Sequence, residues 1–262
     1  MQLIDSHCHL DFPEFDPDRA AVIRRSQALG VSHMLLAGTT QATWQRLLAT
    51  LKEFPNLYGA LGLHPYFLAD HQALHLQQLA AQLSSQANNP QLVAVGEIGL
   101  DFQLPELDRS QQHYFFEQQL ALAHEFNLPA IIHVRKAHDP TIATLKRFKL
   151  PRGGIIHAFN GSPEQAKEYI KLGFYLGIGG AYTWPNATRL QRTLQQLPLD
   201  SLLLETDSPD MAPSFAANQR NSPENLLQIC QQVAQILQVS PEQLAKHSSQ
   251  NFHQLFQLTA AQ

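Results

Sequence analysis

Short apolar runs alternate with longer amphipathic stretches over nearly the whole chain. Leu3–Asp5, His33–Gly38, Tyr58–Leu63, Leu92–Glu97, Ala130–Val134, Gly154–His157, Phe174–Ile178 and Leu202–Thr206 have the length and apolar density of strands. Between them the sequence reads as helix, with recognisable punctuation. Asp16-Pro17 offers a cap followed by proline at the first helical position, and Gly30 closes that helix. Further helices are predicted near Gln41–Phe54, from Leu74 to Ser84 and from Leu107 to Phe126, and Asp139-Pro140 opens another. Ser162-Pro163-Glu164-Gln165 spells a capping box whose helix ends at Gly173, and Ser222-Pro223 and Ser240-Pro241 begin two more.

Strands followed by helices, eight times over, predict an α/β chain folded as a (β/α)8 TIM barrel, one domain spanning residues 1–262. The near-continuous apolar character of the fifth, sixth and eighth strands suits a parallel sheet covered on both faces. An open doubly wound sheet is the alternative, but no Gly-x-Gly-x-x-Gly fingerprint follows the first strand.

Composition narrows the partners. Only 15% of the residues are charged and the net charge is −4, with no run of like sign. A basic stripe for gripping duplex DNA by its backbone is therefore excluded. Short or terminal nucleic acid and nucleotide-like phosphoesters stay open, because bound metal ions supply positive charge locally. Cys8 and Cys230 make no disulfide framework and are expected in the packing. No basic leader with an apolar stretch opens the chain and no segment reaches membrane length, so the expected location is cytoplasmic, away from the membrane. Nothing calls for an obligate protein partner.

Ligand-type residues recur where the predicted strands end. His7 and His9 follow the first strand, Glu97 ends the fourth, His133 and His157 close the fifth and sixth, and Asp207 follows the eighth. In an extended backbone, Asp5, His7 and His9 share one face. A barrel opens all these strand ends on one side, where catalysis is expected. Buried there without a metal, such a set leaves unsatisfied or uncompensated polar groups. The expectation is two divalent ions bridged by Glu97, one held by His7, His9, Glu97 and Asp207, the other by Glu97, His133 and His157. Imidazole-rich ligation favours Zn, Mn, Co or Ni, with Mg possible.

The surrounding residues leave alternatives. Asp207 is the candidate catalytic base, against a ligand with no proton role. His64 and Arg135 are candidate substrate-binding residues, the first as a donor to substrate or leaving group, the second as a fork onto phosphate. Packing and a rim salt bridge are their structural alternatives. Asp5 and Glu205 are expected to orient neighbours, and Arg220 to pair with a loop.

Asp5-Ser6-His7-Cys8-His9, Gly96-Glu97-Ile98-Gly99-Leu100-Asp101, His157-Ala158-Phe159-Asn160-Gly161 and Glu205-Thr206-Asp207-Ser208-Pro209 resemble the successive signatures of the TatD family. Arg220-Asn221-Ser222-Pro223 is similar to its late Arg-Asn-x-Pro motif, and the segments around Gly62–Pro65 and Leu202–Met211 resemble a YjjV-like branch. Val134 departs from the pattern, standing where many relatives carry serine. The resemblance implies a metal-dependent hydrolase on a TIM barrel, with deoxyribonuclease activity among relatives, and supports the same ligand positions. The expected reaction is phosphodiester hydrolysis by a metal-activated hydroxide. Hydrolysis of carbon esters, lactones or amides, or a metal-binding scaffold without turnover, are the alternatives.

Overall fold

β1 (Leu3–Cys8) lies parallel to β2 (Val31–Ala37), and the pairing continues in chain order through β3 (Leu57–Leu61), β4 (Leu92–Asp101), β5 (Ala130–Arg135), β6 (Gly154–Ile156), β7 (Phe174–Ile178) and β8 (Leu202–Leu204) in the computed structural model, which describes residues 1–258. Parallel neighbours require a crossover between each pair. The crossovers carry α1 (Arg19–Ala28), α2 (Trp44–Glu53), α3 (Ala73–Ser85), α4 (Arg109–Glu125), α5 (His138–Phe148), α6 (Pro163–Lys171) and α7 (Thr188–Leu194), followed after β8 by α8 (Leu226–Leu237) and α9 (Pro241–Phe256). Beyond β8 the backbone reaches back to β1: Asp207 N donates to His7 O at 2.9 Å, and His9 N donates to Ser208 O at 2.7 Å. The sheet is thereby a nearly closed parallel barrel.

Alternation along the strands divides the core in two. Leu3, Met34, Leu36, Val95 and Ile132 point outward into the layer packed under the helices. Ile4, Leu35, Ala60, Ala94, Ile131, Ile155 and Leu203 point inward and fill the barrel. Phe252, Leu255 and Phe256 of α9 join that inner cluster. Ser249 Oγ donates to Gln2 O at 3.2 Å, and Asn251 Nδ2 donates to Leu199 O at 2.9 Å and Leu202 O at 2.8 Å, so α9 closes the end where strands begin. The opposite end is left for chemistry.

Several boundaries move from their sequence expectation. β1 and β4 run further, whereas β6 and β8 stop short of His157 and Thr206. α1 starts at Arg19 rather than after Asp16-Pro17, because the Asp16 carboxylate is taken by Arg19 at 2.7 Å instead of capping. α5 starts at His138 with Ala137 at its cap, so Asp139 sits in the first turn, where its charge suits the helix dipole. Ser222-Pro223 opens a 3-10 turn, Pro223–Asn225, that leads into α8. α7, the helix that the repeating strand–helix rhythm implies between the seventh and eighth strands, has no side-chain cap and no start signal in the sequence. Gly30 (φ +92°) does end the first helical segment, adopting backbone angles that side chains resist.

Candidate active site

The C-terminal strand ends bring the ligand-type residues to one point. His7 lies at the end of β1 and His9 just beyond it, and their Nε2 atoms are 3.3 Å apart. Glu97 on β4 is buried and central: its Oε2 is 3.1 Å from His7 Nε2, and its Oε1 is 2.9 Å from His64 Nε2 and 3.0 Å from His133 Nδ1. Asp207 Oδ1 approaches His9 Nε2 at 3.4 Å and His7 Nε2 at 3.5 Å, and its Oδ2 lies 3.6 Å from His157 Nε2. Asp207 adopts φ +58°, a left-handed angle that a non-glycine residue takes only when its surroundings hold it. Its backbone bond to β1 does the holding.

Three sets of atoms stand within 4.8 Å of one another and are able to hold a metal ion: His7, His9 and Asp207; His7, Glu97 and His157; His64, Glu97 and His133. All six residues expected from the sequence meet here. Their grouping is finer than expected. The His157 ring stacks on His7 with centroids 3.6 Å apart and stands 6.3 Å from His133, while His64, expected at the substrate, reaches Glu97 beside His133. Arg135 lies exposed at the end of β5 on the wall of the cavity above the cluster.

Partners on the far side of four of the rings fix which nitrogen faces the cluster. His9 Nδ1 donates to Ala37 O at 2.9 Å, which turns Nε2 inward. His64 Nδ1 accepts from Tyr66 N at 3.0 Å, so its proton sits on Nε2, facing Glu97. His133 Nε2 reaches Asp101 Oδ2 at 3.2 Å and turns Nδ1 toward Glu97. His157 Nδ1 lies 3.0 Å from Glu205 Oε1, which also accepts from Ala158 N at 2.7 Å. Room for Glu205 comes from Gly177, where an added Cβ would stand 2.1 Å from Glu205 Oε2. Asp5 is buried and accepts from His7 N at 3.3 Å and from Thr206 N at 3.0 Å.

Charge is distributed unevenly. Burial works against protonating His9 and His157, yet neighbouring carboxylates outweigh it: Asp207 chiefly lifts His9 to about 9, and Glu205 with Asp207 lifts His157 to about 10. Burial brings His64 down to about 4 despite Glu97, so its imidazole is neutral. Burial opposes ionisation of Glu97 and Asp207 too, but the surrounding imidazoles hold both carboxyls below the usual range. A carboxylate-centred set of imidazoles, most of them with the outer nitrogen tied down, is a set that a divalent cation fits. The cluster floors a cavity of about 460 Å³ whose walls include Phe12, Tyr66, Asn160 and Met211.

Asp101 went without a role in the sequence reading. It lies four residues after Glu97, and in an extended strand i and i+4 share a face, so the signal was present. Arg220 pairs with a loop as expected: it donates to Asp18 at 2.9 and 2.7 Å and lies 4.4 Å from the centre of the Phe15 ring.

Catalysis by bound cations on a parallel barrel defines a class, the metal-dependent hydrolases, and this chain is one of them. It belongs to the TatD family: the profile described as TatD related DNase matches residues 4–257. The chain is 37% identical over 255 residues to the metal-dependent hydrolase YjjV of Escherichia coli (strain K12), covering 97% of this chain and 98% of that one. The crystal structure of YjjV, a TatD homologue, superposes with a TM-score of 0.94 over 98% of both chains. A protein named 3'-5' ssDNA/RNA exonuclease TatD from Erwinia tasmaniensis is 35% identical over 268 residues, covering 98% of this chain and all of that one.

Proposed function

We propose that this hydrolase cleaves phosphodiester bonds at the ends of short single-stranded nucleic acids or in nucleotide-like esters. The carrying observation is the convergence of imidazoles and two carboxylates beneath a cavity whose lining also includes Arg135 and His64. The name of the Erwinia tasmaniensis relative supports the substrate class. His7, His9 and Asp207 would hold one divalent ion, and His133 and His157 a second, with Glu97 between them. When bound, such ions acidify water and neutralise charge on a phosphoryl oxygen.

The chain's own groups do the rest. Asp207, kept ionised by its imidazole neighbours, accepts a proton from the attacking water at a carboxylate oxygen. Arg135 forks onto a non-bridging phosphate oxygen, and neutral His64 would donate from Nε2 to the substrate once Glu97 turns from it to the ions. Glu205 and Asp101 hold His157 and His133 in the orientations that present one nitrogen inward. The test is a substrate profile of the Mn- and Zn-loaded protein on thymidine 5'-p-nitrophenyl phosphate, a thymidylate oligomer, p-nitrophenyl phosphate and a lactone. Turnover of the first two, abolished by EDTA and restored by metal, is expected. Lactone turnover with inert phosphodiesters would overturn the reading.

A further inference from the structure

We propose a nucleobase-stacking subsite formed by Trp184 and Met211, beside the candidate active site. The inference rests on the phosphodiesterase reading and deepens it. Trp184 follows β7 and is 38% exposed, while Met211 follows β8 and is 41% exposed. The chain's other tryptophan, Trp44, is buried with Nε1 donating to Gly62 O at 2.9 Å. Trp184 is instead tethered in place: its Nε1 donates to Ala212 O at 3.2 Å, which anchors the ring edge to the β8 loop.

Trp184 and Met211 line a surface cavity of about 420 Å³, with the Asn186 amide at its edge. That cavity adjoins the site: Met211 belongs to the walls of both. A phosphodiester held over Asp207 therefore has its neighbouring nucleoside placed to cross Met211 onto the indole. A flat aromatic base fits a tethered indole, a polarizable thioether and a single amide, because stacking needs a π-face and only loose edge contacts. Arg189, whose Nη2 donates to Asn160 O at 3.0 Å, stands on the same side as a partner for the next phosphate.

Trp184 is the exposed one of two tryptophans, so its emission reports the subsite directly. Titrating the Mn-loaded chain with a cleavage-resistant phosphorothioate thymidylate tetramer should quench that emission, and the signal should vanish in Trp184→Phe. In kinetics, Trp184→Ala should raise KM for a thymidylate tetramer on the order of tenfold. The same variant should leave methyl p-nitrophenyl phosphate, which has no base, within about twofold, and Trp184→Phe should recover most of the loss. Equal effects on both substrates, no effect on either, or a change in sedimentation mass without a change in KM would each overturn the subsite. Quenching by the tetramer in a chain that hydrolyses no phosphodiester would uphold the subsite and fail the reaction instead.

Discussion

Glu97 is surrounded at close range by three imidazoles, so its charge holds the cluster together before any metal does. Glu97→Gln should remove most bound metal and with it the activity, read by elemental analysis alongside turnover; full metal content in the variant would refute the central position. Asp207→Asn should lower kcat on the order of 10²- to 10⁴-fold, more than it lowers metal content, if the carboxylate moves a proton as well as ligating. The raised imidazoles give a pH signature. His9 at about 9 and His157 at about 10 stand above the ordinary 6.5, so in metal-free protein they stabilise the fold fully below 6.5 and lose that contribution as pH rises through 9 and 10. Melting in EDTA should therefore weaken between pH 7 and 10. Metal affinity should move the other way, since a cation must displace those protons, and chelator competition at pH 7 and 9 distinguishes the two trends. The ligand-type residues were legible in the sequence because each sits at a strand end. Ring neighbours such as His7 and His157 were not, since barrel tilt decides which strand ends face each other.

Along α4, two buried glutamines seven residues apart act as peptide-like partners for loop backbone. Gln119 Oε1 accepts from Leu63 N at 2.7 Å and its Nε2 donates to Leu63 O at 3.2 Å, one residue before His64. Gln112 makes the same pair of bonds with the backbone of Asp101, at 2.7 and 2.9 Å. One helix face thus steadies both His64 and the partner of His133. Gln119→Leu keeps the volume but strands a buried N–H and C=O, which should cost about 1–3 kcal/mol in denaturant unfolding. A change within 0.3 kcal/mol would show that the backbone finds other partners. Here the sequence misled through abundance: with glutamine on so many helix faces, nothing marked these two as interior. Caps at Ser162 and Ser240 were legible because the hydroxyl has no competing partner, whereas the Asp16 carboxylate, paired with arginine, did not cap.

At the scale of the molecule, the (β/α) rhythm was legible from apolar spacing alone, because each strand of a covered parallel sheet is apolar through its length. The role of α9 was not, since an amphipathic helix does not announce which end of a barrel it covers. Phe252, fully buried in the inner cluster, puts a large share of stability at the end far from the site. Phe252→Ala should cost about 3–5 kcal/mol while leaving kcat within about twofold of the parent at a temperature where both are folded. A kcat loss matching the stability loss would show the two ends to be coupled. The join between β1 and the segment after β8 has a further consequence. Thr206 donates to Asp5 across 201 positions of chain, and Asp207 follows directly. During translation, at about 5–20 residues per second, the histidine pair waits roughly 10–40 s for its acidic partner to be synthesised. Until then the chain carries only part of the proposed first ion set, so binding there is expected only after the segment beyond β8 is made, and a truncated product ending before β8 lacks Asp207 of that set.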